Sequence, residues 1–251
     1  MPVTPPFLEV KDVTFAYGNN VVLDHVSFAI ERGDYVGLVG PNGGGKTTLL
    51  KILVGLLTPQ SGSVEIEGRP IRDFRQKFRI GYVPQRVAQE HVNFPATVYE
   101  VVESGRVPRA RLWGGLTGAD RRAIDGALAT AGIDHLRDTL ISSLSGGQRQ
   151  RMHVARALAA EPEALILDEP FVGIDVAAQK EFYAFLKTLN RTQSLTIIFV
   201  SHDIDVVTEE VKSILCLNRG LLCAGSPSIL HEPNVIEELY GKKITHIHRP
   251  H

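Results

Sequence analysis

Cysteine is scarce in this sequence. Of 251 residues only Cys216 and Cys223 carry a thiol, which excludes a disulfide-rich secreted scaffold and leaves too few thiols for a cysteine-built zinc centre. Both lie in the apolar stretch Ser213 to Ala224, on either side of an Asn218-Arg219-Gly220 turn. They are expected as reduced thiols in the core or sheet, and so few cysteines fit a reducing compartment. A charge excess is also missing. Lys and Arg number 27 against 28 for Asp and Glu, a net charge of −1, so bulk positive charge drives no nucleic-acid binding and no such partner is expected. No apolar run reaches the ~18–20 residues that cross a bilayer, and no N-terminal segment has the basic, apolar and small-residue order of a signal peptide. The expectation is a soluble or peripheral chain that meets a membrane only through a partner. What is present is 43% apolar residues, enough for a substantial core and too many for wholesale disorder. No internal repeat or low-complexity segment interrupts it.

The apolar positions are patterned. Leu8, Val10, Val13 and Phe15 alternate with Glu9, Lys11 and Thr14, with one slip at Asp12. With Val21 to Ile30 and Val64 to Ile66 they predict an antiparallel β-layer. Tyr35 to Val39 is a short apolar run ending at Gly40, the pattern of a buried strand. Leu49, Leu50, Ile52, Leu53 and Leu56 then fall at helical spacing within Thr47 to Leu57. The middle of the chain, about Ala88 to Glu161, reads as mostly helical. Helices are predicted over Thr97 to Gly105 (Thr97 as cap, with Glu100 three residues on), Asp120 to Ala131, and Gly146 to Ala160, which Pro162 ends. Arg106 to Gly118 reads as an exposed loop between the first two. Ala164 to Leu167 and Thr196 to Val200 read as buried strands around a helix over Ala177 to Leu189. Strands alternating with helices predict an α/β fold with a mainly parallel sheet.

Three strings carry chemistry. Gly40-Pro41-Asn42-Gly43-Gly44-Gly45-Lys46-Thr47, followed by Thr48, matches the P-loop pattern in full and stands between an apolar strand and a helix, the context the motif requires. Its glycines let main-chain N–H groups converge on phosphates, and the helix aims its positive end at the same place. Lys46 is then expected on the β- and γ-phosphates and the Thr47 hydroxyl on Mg²⁺. Asp168 and Glu169 end the apolar run Ala164 to Leu167, and the C-terminal end of a strand is where open α/β sheets bind ligands. Asp168 is expected as a Mg²⁺ partner and Glu169 as general base for the attacking water. Leu144-Ser145-Gly146-Gly147-Gln148 opens a helix with a second N–H-rich start suited to an anion. In isolation that string would read as an ordinary serine cap.

Taken together, Tyr17, the Gly40–Thr47 loop, Gln85, Leu144–Gln148, Asp168–Glu169, Gly173–Asp175 and His202 occur in the order and spacing of the ATP-binding cassette ATPases, which this chain resembles to about residue 235. The resemblance implies a P-loop NTPase core with a mainly parallel sheet, an N-terminal antiparallel β-subdomain and an inserted α-helical subdomain. It implies a single domain over residues 1–241, with core and β-layer at about 1–87 and 162–241 and the helical subdomain at about 88–161. A polar tail, 242–251, follows. By resemblance Tyr17 stacks on adenine, Gln85 reaches Mg²⁺ and the attacking water, His202 contacts the γ-phosphate, and Asp175 connects two sites across a dimer. Two subunits pack head to tail, so that Ser145, Gly146, Gly147 and Gln148 of one chain close the ATP held by the P-loop of the other.

The segment Asn93 to Arg106, with Glu169-Pro170-Phe171-Val172-Gly173-Ile174-Asp175, resembles the ATPases of bacterial zinc and manganese importers. That resemblance implies a peripheral subunit on the cytoplasmic face of the cell membrane. Its partners would be a second, identical ATPase chain, a multispanning permease docking between Gln85 and Arg111, and an extracytoplasmic substrate-binding protein. Import of another small solute, or a soluble ATPase of iron–sulfur assembly, are the alternatives. His246, His248 and His251 could bind a metal weakly, but a solvated tail is the expectation for them.

Overall fold

The computed structural model describes residues 5–85, 95–107, 115–170, 176–201 and 203–241. The chain divides into two compact units, 1–72 with 199–251, and 73–198.

In the first unit, β1 (Leu8–Tyr17), β2 (Asn20–Ile30), β4 (Ser61–Ile66) and β5 (Arg69–Pro70) form an antiparallel sheet in the order β2-β1-β4-β5. Alternation puts Leu8, Val10, Val13, Leu23, Val26, Ile30 and Ile66 on its buried face. The slip at Asp12 is a β-bulge: the pairing register shifts between Val10 and Val13, and Asp12 itself has φ 51°. One extra residue restores the inward face for Val13 and Phe15. β3 (Tyr35–Val39), buried throughout, pairs in parallel with β9 (Ser213–Asn218), which turns back antiparallel into β10 (Gly220–Gly225). Helices α1 (Lys46–Leu53), α6 (Ile204–Glu210) and α7 (Pro233–Tyr240) belong to this unit.

The expectation of reduced thiols is corrected here. Cys216 and Cys223 are direct partners in the β9–β10 pairing, with Cα atoms 4.8 Å apart, and are joined as a disulfide. Burial statistics treat each cysteine alone, whereas the hairpin register, with its irregularity between Leu221 and Cys223, brings the two within bridging distance.

In the second unit, β6 (Ile80–Val83) pairs in parallel with β7 (Ala164–Leu167). Arg79 closes their entrance with two bonds to Glu163, Nε to Oε1 at 2.7 Å and an Nη to Oε2 at 2.8 Å. Four helices follow the predicted order: α2 (Val98–Ser104), α3 (Gly118–Ala131), α4 (Gly146–Leu158) and α5 (Val176–Gln193). The starts of α2, α3 and α4 each carry a reciprocal cap, Thr97 with Glu100, Thr117 with Asp120, and Ser145 with Gln148. Behind α2 the buried Arg106 guanidinium binds Asp120 at 2.8 Å, Glu161 at 2.7 Å and the Ala159 carbonyl at 3.1 Å. The bonds from Thr117 and then from Arg106 hold the Asp120 carboxyl down at about 2. β8 (Thr196–Val200) carries the chain from the second unit to the first. The parallel pairings and the helices between strands make this the α/β fold expected from the pattern.

Candidate functional site

The phosphate loop lies in the first unit, between β3 and α1. Its backbone requires glycine at more than one point. Gly45, the N-cap of α1, has φ 95°, and no side chain caps the helix. A side chain at Gly40 would be impossible for a different reason: its Cβ would stand 2.0 Å from the Leu217 carbonyl oxygen. The first turn of α1 also carries no acidic residue, so its N–H groups and dipole present an undiluted positive end. Lys46 is buried, and its Nζ donates to the carbonyls of Gly40 at 2.8 Å and Pro41 at 2.9 Å. A cation is thereby held at the mouth of the loop by main-chain carbonyls. Thr48 is buried behind it, whereas Asn42 and Gly43 are exposed at the loop's tip. Tyr17 ends β1 half-exposed, with its ring edge-on to Phe15 at 4.9 Å between centroids. An aromatic face open to solvent is what a stacked base would need.

The acidic pair lies in the second unit, at the end of β7. Asp168 is buried, and its N–H continues the ladder by donating to the Val83 carbonyl at 2.9 Å. The Tyr82 hydroxyl donates to Asp168 Oδ2 at 3.4 Å. Burial, and then the neighbouring carboxylate, push the tyrosine's pKa well up, so it stays protonated as a donor. Glu169 follows with φ 48°. A side chain in the left-handed region costs about 1–2 kcal/mol. The Glu169 carboxylate accepts a hydrogen bond from the Gln85 amide nitrogen. Two residues eighty-four positions apart, both expected at the site, are thus brought into contact.

Ser145 and Gln148 stand at the start of α4, also in the second unit. The Ser145 hydroxyl accepts from the Gln148 N–H at 3.3 Å, and Gln148 Oε1 accepts from the Ser145 N–H at 2.9 Å. This start is partly satisfied by its own side chains. Asp175, His202, Gly173 and the tail histidines His246, His248 and His251 lie outside the described residues, as do 86–94 and 108–111 of the expected permease-docking segment.

Tyr82 was not among the expected site residues. Its only sequence signal is its position three before Gln85, and its partner Asp168 becomes visible only when β6 and β7 pair in register. Thr47 in the first unit, and Gln85 and Asp168 in the second, are the residues expected on a metal. All three offer oxygen atoms, the donor set of a hard divalent cation such as Mg²⁺. Gln85 bonds Glu169 through its nitrogen, a contact that does not use the amide oxygen.

Comparison with known proteins matches residues 23–172 to the ABC transporter family model. The zinc uptake system ATP-binding protein ZurA of Listeria innocua is 41% identical over 87% of this chain and 85% of its own length. The zinc import ATP-binding protein ZnuC of Pseudomonas fluorescens is 36% identical over 97% of this chain and 88% of its own. Among solved structures, a dimeric ATP-binding cassette in a post-hydrolysis state, bound to ADP and Pi, superposes with a TM-score of 0.72 at 28% identity, over 88% of this chain and 98% of that one. No described helix is long and apolar enough to cross a membrane. A phosphate loop built on obligatory glycines, an acidic pair ending a buried strand, and a family match spanning both mean that this chain belongs to the ABC transporter family, as one of its ATP-binding, ATP-hydrolysing subunits.

Proposed function

We propose that this ATPase energises the import of zinc from the cytoplasmic face of a membrane, as a peripheral subunit. The observation that carries the substrate is the likeness to zinc uptake ATPases, which runs over 87% of the chain and so reaches well beyond the 23–172 core common to the family. Manganese, expected beside zinc from the sequence, is the less supported cargo.

In the proposed mechanism the N–H groups of Gly40 to Thr48 and the Lys46 ammonium bind the ATP phosphates, and Tyr17 stacks on the adenine. Thr47, Asp168 and Gln85 hold Mg²⁺, which when bound neutralises phosphate charge. Glu169 takes the proton of the attacking water. Its hydrogen bond to Gln85 joins the proton acceptor to the segment that leads toward the permease-docking region, 85–111, so docking and hydrolysis share one contact. His202 contacts the γ-phosphate. Ser145, Gly146, Gly147 and Gln148 act in trans on the ATP of a second, head-to-tail chain, with Asp175 linking the two sites. The dimeric, ADP-bound cassette supports this arrangement. The organisation follows: core and β-layer in 1–87 and 162–241, helical subdomain in 88–161, tail in 242–251. A multispanning permease and an extracytoplasmic zinc-binding protein complete the system.

The test is reconstitution with the permease in sealed vesicles. ATP on this subunit's side should drive uptake of radiolabelled zinc. Glu169→Gln should cut turnover by about 100-fold or more while an ATP-held dimer accumulates in gel filtration. Uptake of manganese with none of zinc would overturn the substrate, and an undiminished rate in Glu169→Gln would remove that carboxylate from the mechanism.

A further inference from the structure

The phosphate loop contains four glycines between residues 40 and 45, so its own backbone has little stiffness. The constraint comes from two other parts of the first unit. One is the β9–β10 turn. The Leu217 carbonyl oxygen lies 2.0 Å from where a Cβ on Gly40 would be and 3.0 Å from one on Gly44, so both ends of the loop rest on the same atom. Two residues on, Arg219 takes φ 61° without being glycine. That conformation sends its N–H to the Gly44 carbonyl at 3.0 Å and its carbonyl to the Asp24 N–H of β2 at 3.0 Å. One residue's main chain therefore ties the loop to the antiparallel sheet. Any slackening of the left-handed turn releases both bonds together.

The other constraint is the C-terminal end of α7. The Tyr240 hydroxyl faces the Gly40 N–H, and the Gly40 carbonyl accepts from Lys46 Nζ at 2.8 Å. The amide that follows Gly40 is thus held by the P-loop lysine, and the end of α7 stands beside the one that precedes it. Asn218 Nδ2 donates to the Leu239 carbonyl at 3.3 Å, which ties the turn to that same end of α7. The hydrophobic residues Ile236 and Leu239 are buried beneath it.

We propose that Arg219 and Tyr240 are positioning residues for the nucleotide: they hold the two ends of the phosphate loop so that its N–H groups are aimed before ATP arrives. The inference rests on the reading that the Gly40–Thr48 loop holds the phosphates. A glycine-rich loop that must order itself on binding gives up affinity to conformational entropy, and external ties remove that loss in advance. Neither residue touches ATP in this account; each acts through a main-chain group of the loop.

The test measures ATP affinity and the unfolding midpoint of the full-length chain, using ATP as the probe. Tyr240→Phe deletes one oxygen and should weaken ATP binding about three- to tenfold, the range for one lost hydrogen bond, with a smaller effect on the nucleotide-free unfolding midpoint. At position 219 the informative pair is Arg219→Gly against Arg219→Val. Both lose the side chain, but only valine resists the left-handed turn, so the valine variant should bind ATP roughly tenfold more weakly than the glycine variant. Lys46→Ala is the control for the site itself. If it loses ATP binding while Tyr240→Phe keeps wild-type affinity and the two Arg219 variants bind alike, the inference fails alone. A lowered unfolding midpoint in Tyr240→Phe with unchanged affinity would likewise reduce that residue to a structural one. If Lys46→Ala binds ATP undiminished, the reading of the loop fails and takes the inference with it.

Discussion

Helices α1 and α4 both begin on glycines, yet the two starts are built in opposite ways. At α1 the glycines are imposed by the chain around them. Gly45 has a positive φ and its Cβ would stand 2.7 Å from the Val22 carbonyl oxygen, while Gly40 is packed against Leu217. No side chain caps the helix, so no side chain of its own competes with a ligand for the cap position. At α4 the start is partly satisfied from within: Ser145 and Gln148 exchange two hydrogen bonds, and Gly146 and Gly147 sit in ordinary helical backbone. A Cβ on Gly147 would meet its nearest neighbour, Ala178 Cβ, only at 3.9 Å, an ordinary contact. Among the described residues nothing requires glycine at position 147. A small residue that its own fold does not need, on a helix start whose Ser145 and Gly146 are exposed, is what a surface awaiting close approach of another molecule would carry. That matches the proposed role in trans and accounts for why the string reads as an ordinary cap when met alone.

Substitutions at the two starts break or sharpen this contrast. The largest effect is expected at the loop. Gly40→Ala drives a methyl group into the Leu217 carbonyl and should destabilise the nucleotide-free protein by about 3 kcal/mol, read as a lower midpoint in chemical unfolding. If Gly40→Ala unfolds like the wild type, the loop is not braced as described. Gly147→Ala should do the reverse. As a glycine-to-alanine change within a helix it should leave stability unchanged or raise it by up to about 1 kcal/mol, yet ATPase turnover should fall at least tenfold more than ATP affinity of the isolated chain does. Equal losses in both would place α4 outside the trans site. The smallest effect belongs to Ser145→Ala, which removes one cap and should cost about 1 kcal/mol of stability. A turnover loss beyond what that destabilisation explains would assign the hydroxyl a second duty, on the nucleotide of the partner chain.

Much of this arrangement was legible in the residues. The P-loop was, because its requirement is local: a strand, a run of glycines, a lysine and a helix within about twenty residues. So were the caps of α2 and α4, since a capping box spans only four residues. The slip at Asp12 was visible as well, because alternation of period two shows a single extra residue at once, but the pairing of β1 with β2 was needed to make it a bulge. The contact between Gln85 and Glu169 was not readable from spacing, and neither was Tyr82 on Asp168. Each joins residues more than eighty positions apart through the parallel pairing of β6 with β7. The cysteine pair failed for a related reason. Only seven residues separate Cys216 from Cys223, but whether they oppose each other depends on one irregularity in the β9–β10 register.

The sequence by itself determined the phosphate loop, the acidic pair, the helix starts and the α/β order, because short-range geometry and the period of apolar residues suffice for each. Only the tertiary structure decided what braces the loop. The Leu217 carbonyl, the Arg219 main chain and the Tyr240 hydroxyl reach it from about two hundred residues away in sequence. They act through main-chain groups that every residue type carries, and such groups leave no mark in a sequence until the fold brings them together.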